Sequence, residues 1–243
     1  DRLKKSKKIA YLDSSEKSVV SYYMGMFFTK MISHRLYESE YLTNLNLIET
    51  PDHKEFIDFF ASEWRPEMIG YKAKEQIWSA WEAKGGSNYR EQALKKGADQ
   101  LKAIGTLNGV RPDPAAVCMT YYDHGYLCGI LREPEGDTEG EQLKFSEEDF
   151  FKAYYKPICE LFLDKSSNLR LYENYAEVSL NLPYFTEEYK EQDERKLCLG
   201  ISRKLLSYLM EEDYAAVAKH RKEVQEEKCP EGAHMGSDGI YIR

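Results

Sequence analysis

Apolar residues recur with a helical rhythm early in the chain. Between Glu16 and Glu38 they fall at Val19, Val20, Tyr23, Met24, Phe27, Phe28, Met31, Ile32 and Leu36, a broad face that predicts a core helix packed on a sheet. A shorter helix is predicted over Lys54–Ala61. The rhythm then changes. Met68-Ile-Gly-Tyr71 and Ile77-Trp-Ser-Ala-Trp-Glu-Ala-Lys84 are apolar runs separated by a polar gap, the pattern of a β-hairpin. The same stretch also draws as a helix over 73–84, with Ile77, Trp78 and Trp81 on its apolar side and Gly85-Gly86 as its stop. Local pattern leaves both open.

Downstream the signals are clearer. Gly85-Gly-Ser-Asn88 is a break, and Tyr89–Ala103 reads as an amphipathic helix through Ala93, Leu94, Gly97, Ala98 and Leu101, with Gln100 beside that stripe. Pro112 and Pro114 mark a loop. Ala116–Tyr122 and Tyr126–Leu131 are β-type runs joined by the turn Asp123-His-Gly125. The order is strand, strand, helix, strand, strand. Beyond Pro134 an acidic linker leads to a helix capped by Ser146, a strand within Tyr172–Leu182, helices over Asp193–Met210 and Glu212–Glu227, and a terminal strand at Ile240–Arg243. The chain thus divides into a helical segment (1–63), a core (64–134) and a mainly helical extension (135–243).

On the hairpin reading the core carries candidate chemistry. Residues i and i+2 of a strand share a face, so Glu82 and Lys84 point the same way. A turn centred near Lys74 sets Glu67 opposite Trp81, one position from Glu82, and the two carboxylates converge. Glu63 is a competing acid, placed at the end of the preceding helix. Two carboxylates and a lysine beside a hard divalent ion suffice to hydrolyse a phosphodiester. The acids hold Mg²⁺ or Mn²⁺, and the lysine positions the nucleophile or neutralises charge.

Pro66-Glu67, Glu82-Ala83-Lys84 and Gln100, in this order and spacing, resemble the motifs of the PD-(D/E)XK nuclease superfamily over roughly 70 residues, 64–134. The surrounding text, from Arg65-Pro-Glu-Met-Ile-Gly70 to Lys95–Ala103, resembles uncharacterised bacterial members. The resemblance implies an α/β fold: a restriction-endonuclease-like mixed sheet flanked by helices, with extra N- and C-terminal helices. It implies Glu67 and Glu82 as ligands of Mg²⁺ (or Mn²⁺), helped by the Ala83 carbonyl. Lys84 then positions water or stabilises charge, and Gln100 orients Lys84, water or a phosphate. Glu38, at the end of the first long helix, is the candidate for the extra acid some members supply. The implied activity is metal-dependent cleavage of DNA, in bacterial restriction or anti-phage defence, by a homodimer or a subunit of a larger complex. The chain carries Glu67 where the family usually has aspartate. An active enzyme, a nuclease acting on RNA, and a non-catalytic DNA-binding or scaffold subunit that keeps the fold all accommodate this.

Charge qualifies the picture. Lys and Arg number 34 against 42 Asp and Glu, a net charge of −8, whereas nucleic-acid binders need local positive potential. Basic residues cluster at Lys4, Lys5, Lys7 and Lys8 and on the helix after the E-X-K strand, where Arg90, Lys95, Lys96 and Lys102 are the candidate nucleic-acid contacts. Acids concentrate at Glu133–Asp149, Glu173–Glu194 and Glu211–Glu227. Hydrophobic content of 42% predicts a folded chain, and no apolar run reaches membrane-spanning length. No cleavable signal is read, and the five cysteines include no C-x-x-C pair, so reduced thiols in the cytoplasm are expected. Cys118 and Cys128 are expected to neighbour each other across paired strands.

Overall fold

The computed structural model describes residues 3–48, 67–136, 140–180, 197–224 and 230–243. These form two compact units, Asp1–Ser146 and Glu147–Arg243. The expected helix over Lys54–Ala61, and with it Glu63, lies outside the described residues.

The first unit is built on a mixed sheet. After a 3-10 turn at Lys7–Tyr11 come α1 (Ser14–Tyr37), β1 (Tyr41–Asn44), β2 (Met68–Lys72), β3 (Ile77–Gly85), α2 (Glu91–Lys102), β4 (Ile104–Leu107), β5 (Ala115–Asp123), β6 (Tyr126–Arg132) and β7 (Glu141–Leu143). Five strands order as β1-β2-β3-β5-β6, with β4 and β7 paired apart. β1, β2 and β3 meander antiparallel, β3 and β5 run parallel, and β5 and β6 form an antiparallel hairpin. The parallel pair requires a crossover, which α2 supplies. The unit is α/β, a mixed sheet flanked by helices.

The Ile77–Gly85 run is a strand because both its edges pair and both its faces are covered. Residues 78–83 are all buried, which explains an apolar run with little alternation. The helical alternative for 73–84 is thereby excluded. One face of β3 carries Trp81 and Ala83, packed with Leu42, Met68 and Ala116 under Met26 and Tyr37 of α1. Trp81 is fully buried, a burial that stabilises by roughly 3 kcal/mol. The other face carries Glu82 and lies against α2, where a Cβ on Gly97 would meet Glu82 Cγ at 3.1 Å.

α1 begins at a reciprocal capping box between Asp13 and Glu16 and ends at Glu38, in the left-handed conformation with φ of 54°. Its orientation corrects the sequence expectation. The face against the sheet carries Gly25, Phe28, Thr29 and Ser33, while Val19, Tyr23, Phe27, Met31 and Leu36 are exposed. Backbone proximity is the reason. A Cβ on Gly25 would meet Gly85 N at 2.9 Å, and one on Gly85 would lie 1.7 Å from the Ser21 carbonyl oxygen. Only small residues fit so close a helix–strand approach.

Cys118 pairs with Leu131, and Cys128 with Tyr121, so these thiols do not neighbour each other as expected. Among the described residues, Cys118, Cys128, Cys159 and Cys198 form no disulfide. Among the described residues no helix is long and apolar enough to cross a membrane.

The second unit comprises α3 (Glu147–Asp164), β8 (Leu169–Leu171), β9 (Tyr175–Leu180), β10 (Leu197–Ser202), α4 (Arg203–Met210), α5 (Tyr214–Val224), β11 (His234–Met235) and β12 (Ile240–Ile242). Its strands order as β11-β12-β10-β9-β8, every pair antiparallel. The helix expected over Asp193–Met210 instead begins at Arg203. Leu197–Ser202 is a strand paired on both edges, and at Gly200 it presses on the Tyr241 ring, where a Cβ would lie 2.0 Å from Cζ.

Candidate active site

β2 and β3 pair with Met68 opposite Trp81. This register puts Glu67 at the rung facing Glu82, one step from the expected partner Trp81. The Glu67 backbone N–H donates to Glu82 Oε2 at 2.9 Å. On the shared face of β3, Lys84 Nζ forms an ion pair with Glu82 Oε1. From α2, Gln100 Oε1 accepts a hydrogen bond from the same Nζ at 2.9 Å. Gln100 reaches Lys84 because Gly97, one turn earlier, lets α2 sit directly on Glu82 and Val117. The two acids, the lysine and the glutamine therefore meet at the carboxyl ends of the parallel pair β3 and β5, where ligands bind in open α/β sheets.

Glu82 has no exposed surface. Burial pushes its carboxyl up, Glu67 adds to the push and Lys84 opposes both, which leaves it at about 7. Among the described residues no three of His, Cys, Asp and Glu gather as a metal cage. The pair Glu67 and Glu82 is instead the sparse, all-oxygen donor set that suits Mg²⁺, which keeps several waters and takes one or two carboxylates.

The site opens into a cavity of about 510 Å³. Glu67, Ala83, Lys84, Gly85, Gly86 and Ser87 form one side, and Ser14, Lys17, Ser18, Ser21 and Tyr22 of α1 the other. Arg90, at the start of α2, completes the lining. Next to it Arg132 of β6 grips Glu91 in a bidentate pair, Nη1–Oε1 2.7 Å and Nη2–Oε2 3.3 Å, anchoring the first turn of α2.

Other candidates lie apart from this constellation. Glu38 caps the far end of α1, 16 residues beyond Tyr22, or roughly 24 Å along the helix at 1.5 Å per residue. Glu40 is committed elsewhere, its Oε2 accepting from Ala73 N at 2.8 Å. Lys95 and Lys96 are exposed on α2 and Lys102 is half-buried in its last turn; none of the three lines the cavity. The α1 residues of the wall were not singled out from the sequence. Their signal was the polar stripe Ser14, Ser18, Ser21 at i, i+4, i+7 with Lys17 beside it, on the helix side opposite the one read for its apolar pattern. No protein-family model, curated protein or solved structure matches this chain.

Proposed function

We propose that this chain is a metal-dependent nuclease of the PD-(D/E)XK type that hydrolyses DNA phosphodiester bonds. The observation that carries the reading is the convergence of Glu67, Glu82, Lys84 and Gln100, of which Glu67 and Lys84 line an open cavity and Glu82 and Gln100 are buried behind them. The layout of β2, β3, α2 and β5 supports it, since the acid-X-lysine strand is followed by a crossover helix carrying the glutamine. Glu67 and Glu82, with the Ala83 carbonyl, hold Mg²⁺ or Mn²⁺. The bound cation supplies Lewis-acid charge and lowers the pKa of water. Lys84 Nζ orients the attacking water and neutralises charge on a phosphate oxygen. Gln100 Oε1 holds that ammonium through a bond that does not depend on Glu82. A role in bacterial restriction or anti-phage defence, in the cytoplasm, as a homodimer or inside a larger complex, belongs to the same reading, as does RNA in place of DNA.

A second reading is a non-catalytic DNA-binding or scaffold subunit. The Lys84–Glu82 ion pair favours it, because the acid is already neutralised within the chain. Incubation of supercoiled and linear plasmid with Mg²⁺, Mn²⁺ or EDTA separates the two. The nuclease nicks or cuts only with metal, and Lys84→Ala lowers the rate by roughly 10³-fold. Absence of cutting together with absence of Mn²⁺ binding in calorimetry sinks the nuclease reading and leaves the scaffold.

A further inference from the structure

We propose that the N-terminal half of α1 is a phosphate-holding wall in which Lys17, with Arg90 facing the same cavity, grips the phosphate next to the bond that is cut. This rests on the nuclease reading and adds a substrate-positioning site to it.

The first argument is volume. A cation with six waters occupies on the order of 200 Å³ at about 30 Å³ per water. The cavity of about 510 Å³ therefore has room for a nucleotide-sized ligand beside the metal. The second is the separation of charge. Glu67, just before β2, and Lys84, on β3, line the cavity opposite α1, which contributes Lys17 and three serines, and Arg90 contributes a guanidinium. The α1 residues that line the cavity are cationic, hydroxyl-bearing or aromatic, while the acids of that turn, Asp13 and Glu16, are turned to each other's backbone N–H in the capping box. The chain as a whole carries −8, so Lys17 and Arg90 are the cavity-lining cations left to meet a polyanion, Lys84 being paired with Glu82.

The third argument is rigidity. α1 runs 24 residues, and its first turn, at the cavity, is held by the Asp13–Glu16 capping box. The backbone approach of Ser21 and Gly25 to Gly85 fixes the height of the wall over the strand that carries Lys84. Lys17 is half-buried, its Nζ 3.5 Å from the Ala10 carbonyl. The Arg132–Glu91 pair fixes the turn from which Arg90 emerges. The two cations thus come from two anchored helices, as a register-setting contact needs.

The test uses the full chain and short fluorescein-labelled oligonucleotides, each with one phosphate replaced by a neutral methylphosphonate. Binding is read by anisotropy with Ca²⁺ in place of Mg²⁺, and cleavage with Mg²⁺, for wild type, Lys17→Ala, Arg90→Ala and the double variant, each checked by circular dichroism. The double variant is expected to raise Kd and KM at least tenfold and to flatten the salt dependence of binding. It should also be indifferent to the single methylphosphonate position that weakens wild type most. Wild-type affinity in the double variant, or losses that simply add to those of every methylphosphonate, overturns the inference while any Lys84-dependent cleavage keeps the nuclease reading. Binding that needs Lys17 and Arg90 without cleavage under any metal leaves the wall standing and removes the nuclease. A wild type that neither binds nor cuts overturns both.

Discussion

At the scale of single residues, the behaviour of the site turns on Glu82. Its carboxyl is raised to about 7, first by burial and then by Glu67, against the pull of Lys84. On the nuclease reading proposed above, a metal ion takes the deprotonated form, so binding releases a proton. The sign follows: affinity is weak below the raised pKa, rises through it and levels off above. Calorimetric Mn²⁺ titration should show Kd falling by about tenfold per pH unit up to pH 7 and flattening by about pH 8. Glu82→Gln should lose the binding and its pH dependence together, and a pH-independent Kd in wild type contradicts the assignment of Glu82 as ligand. Most of this constellation was legible in the sequence, because the two-residue period of a strand alone sets Glu82 and Lys84 on one face. The register was missed by one. The loop occupies residues 73–76 and its centre falls between Lys74 and Glu75, half a residue past the assumed centre, which moves the partner of Glu67 from Trp81 to Glu82.

At the scale of elements, the placement of α1 is the less legible feature and the one on which the cavity depends. Hydrophobic patterning predicts that the broad apolar face is the buried one. Here a backbone-to-backbone approach reverses this, because Gly25 and Gly85 permit a contact that any larger side chain would block. The buried face is mostly small and partly polar, with Thr29 Oγ1 bonded to the Gly25 carbonyl at 2.8 Å, and of the apolar residues Phe28 is buried while Val19, Tyr23, Phe27, Met31 and Leu36 remain outside. Periodicity cannot register a contact between glycines 60 residues apart. Substitution tests the geometry. Gly85→Ala places a Cβ 1.7 Å from the Ser21 carbonyl, so α1 must move or the strand end must shift, at a cost of about 3 kcal/mol. Urea unfolding followed by tryptophan fluorescence should show that loss, with cleavage falling alongside it as the wall shifts from Lys84. Gly129→Ala is the control: its Cβ meets nothing closer than 4.0 Å, and its stability should stay within about 0.5 kcal/mol of wild type. Equal losses in both would mean that the close approach does not set the position of α1. The same limit of patterning explains β10, where a six-residue apolar run before a true helix was absorbed into that helix. Its identity as a strand is set by β9 and β12, distant in sequence.

At the scale of the whole molecule, each of the two units carries its own core, and in the second an ion pair adds to the backbone pairing that holds the last strand in the sheet. Glu177 on β9 is fully buried. Its carboxylate accepts from Arg243 Nε at 2.7 Å and Nη2 at 3.0 Å, and from the Tyr241 hydroxyl at 3.3 Å. Burial pushes the Glu177 carboxyl up, but the hydrogen bonds and charge of Arg243 more than offset this and hold it below the ordinary carboxylate range. A carboxylate with a depressed folded pKa stabilises the fold above its unfolded pKa, and that contribution is lost as pH falls through the folded value. Removing the cation leaves a buried charge without its counter-ion, which costs more than removing both members. Arg243→Ala should therefore destabilise the protein by roughly 3 kcal/mol at neutral pH. The deficit against wild type should shrink as pH falls through the acid range, because the unpaired carboxyl of the variant protonates first, and should close only below the depressed wild-type value, where both proteins carry the protonated acid. Adding Glu177→Gln to Arg243→Ala should recover part of the loss, since an amide in that position carries no charge to strand. Urea midpoints for the two variants across pH 3–8 measure this. A deficit that is constant with pH, or no recovery in the double variant, would assign the stabilisation to the packing of the Arg243 stem rather than to the charge of Glu177.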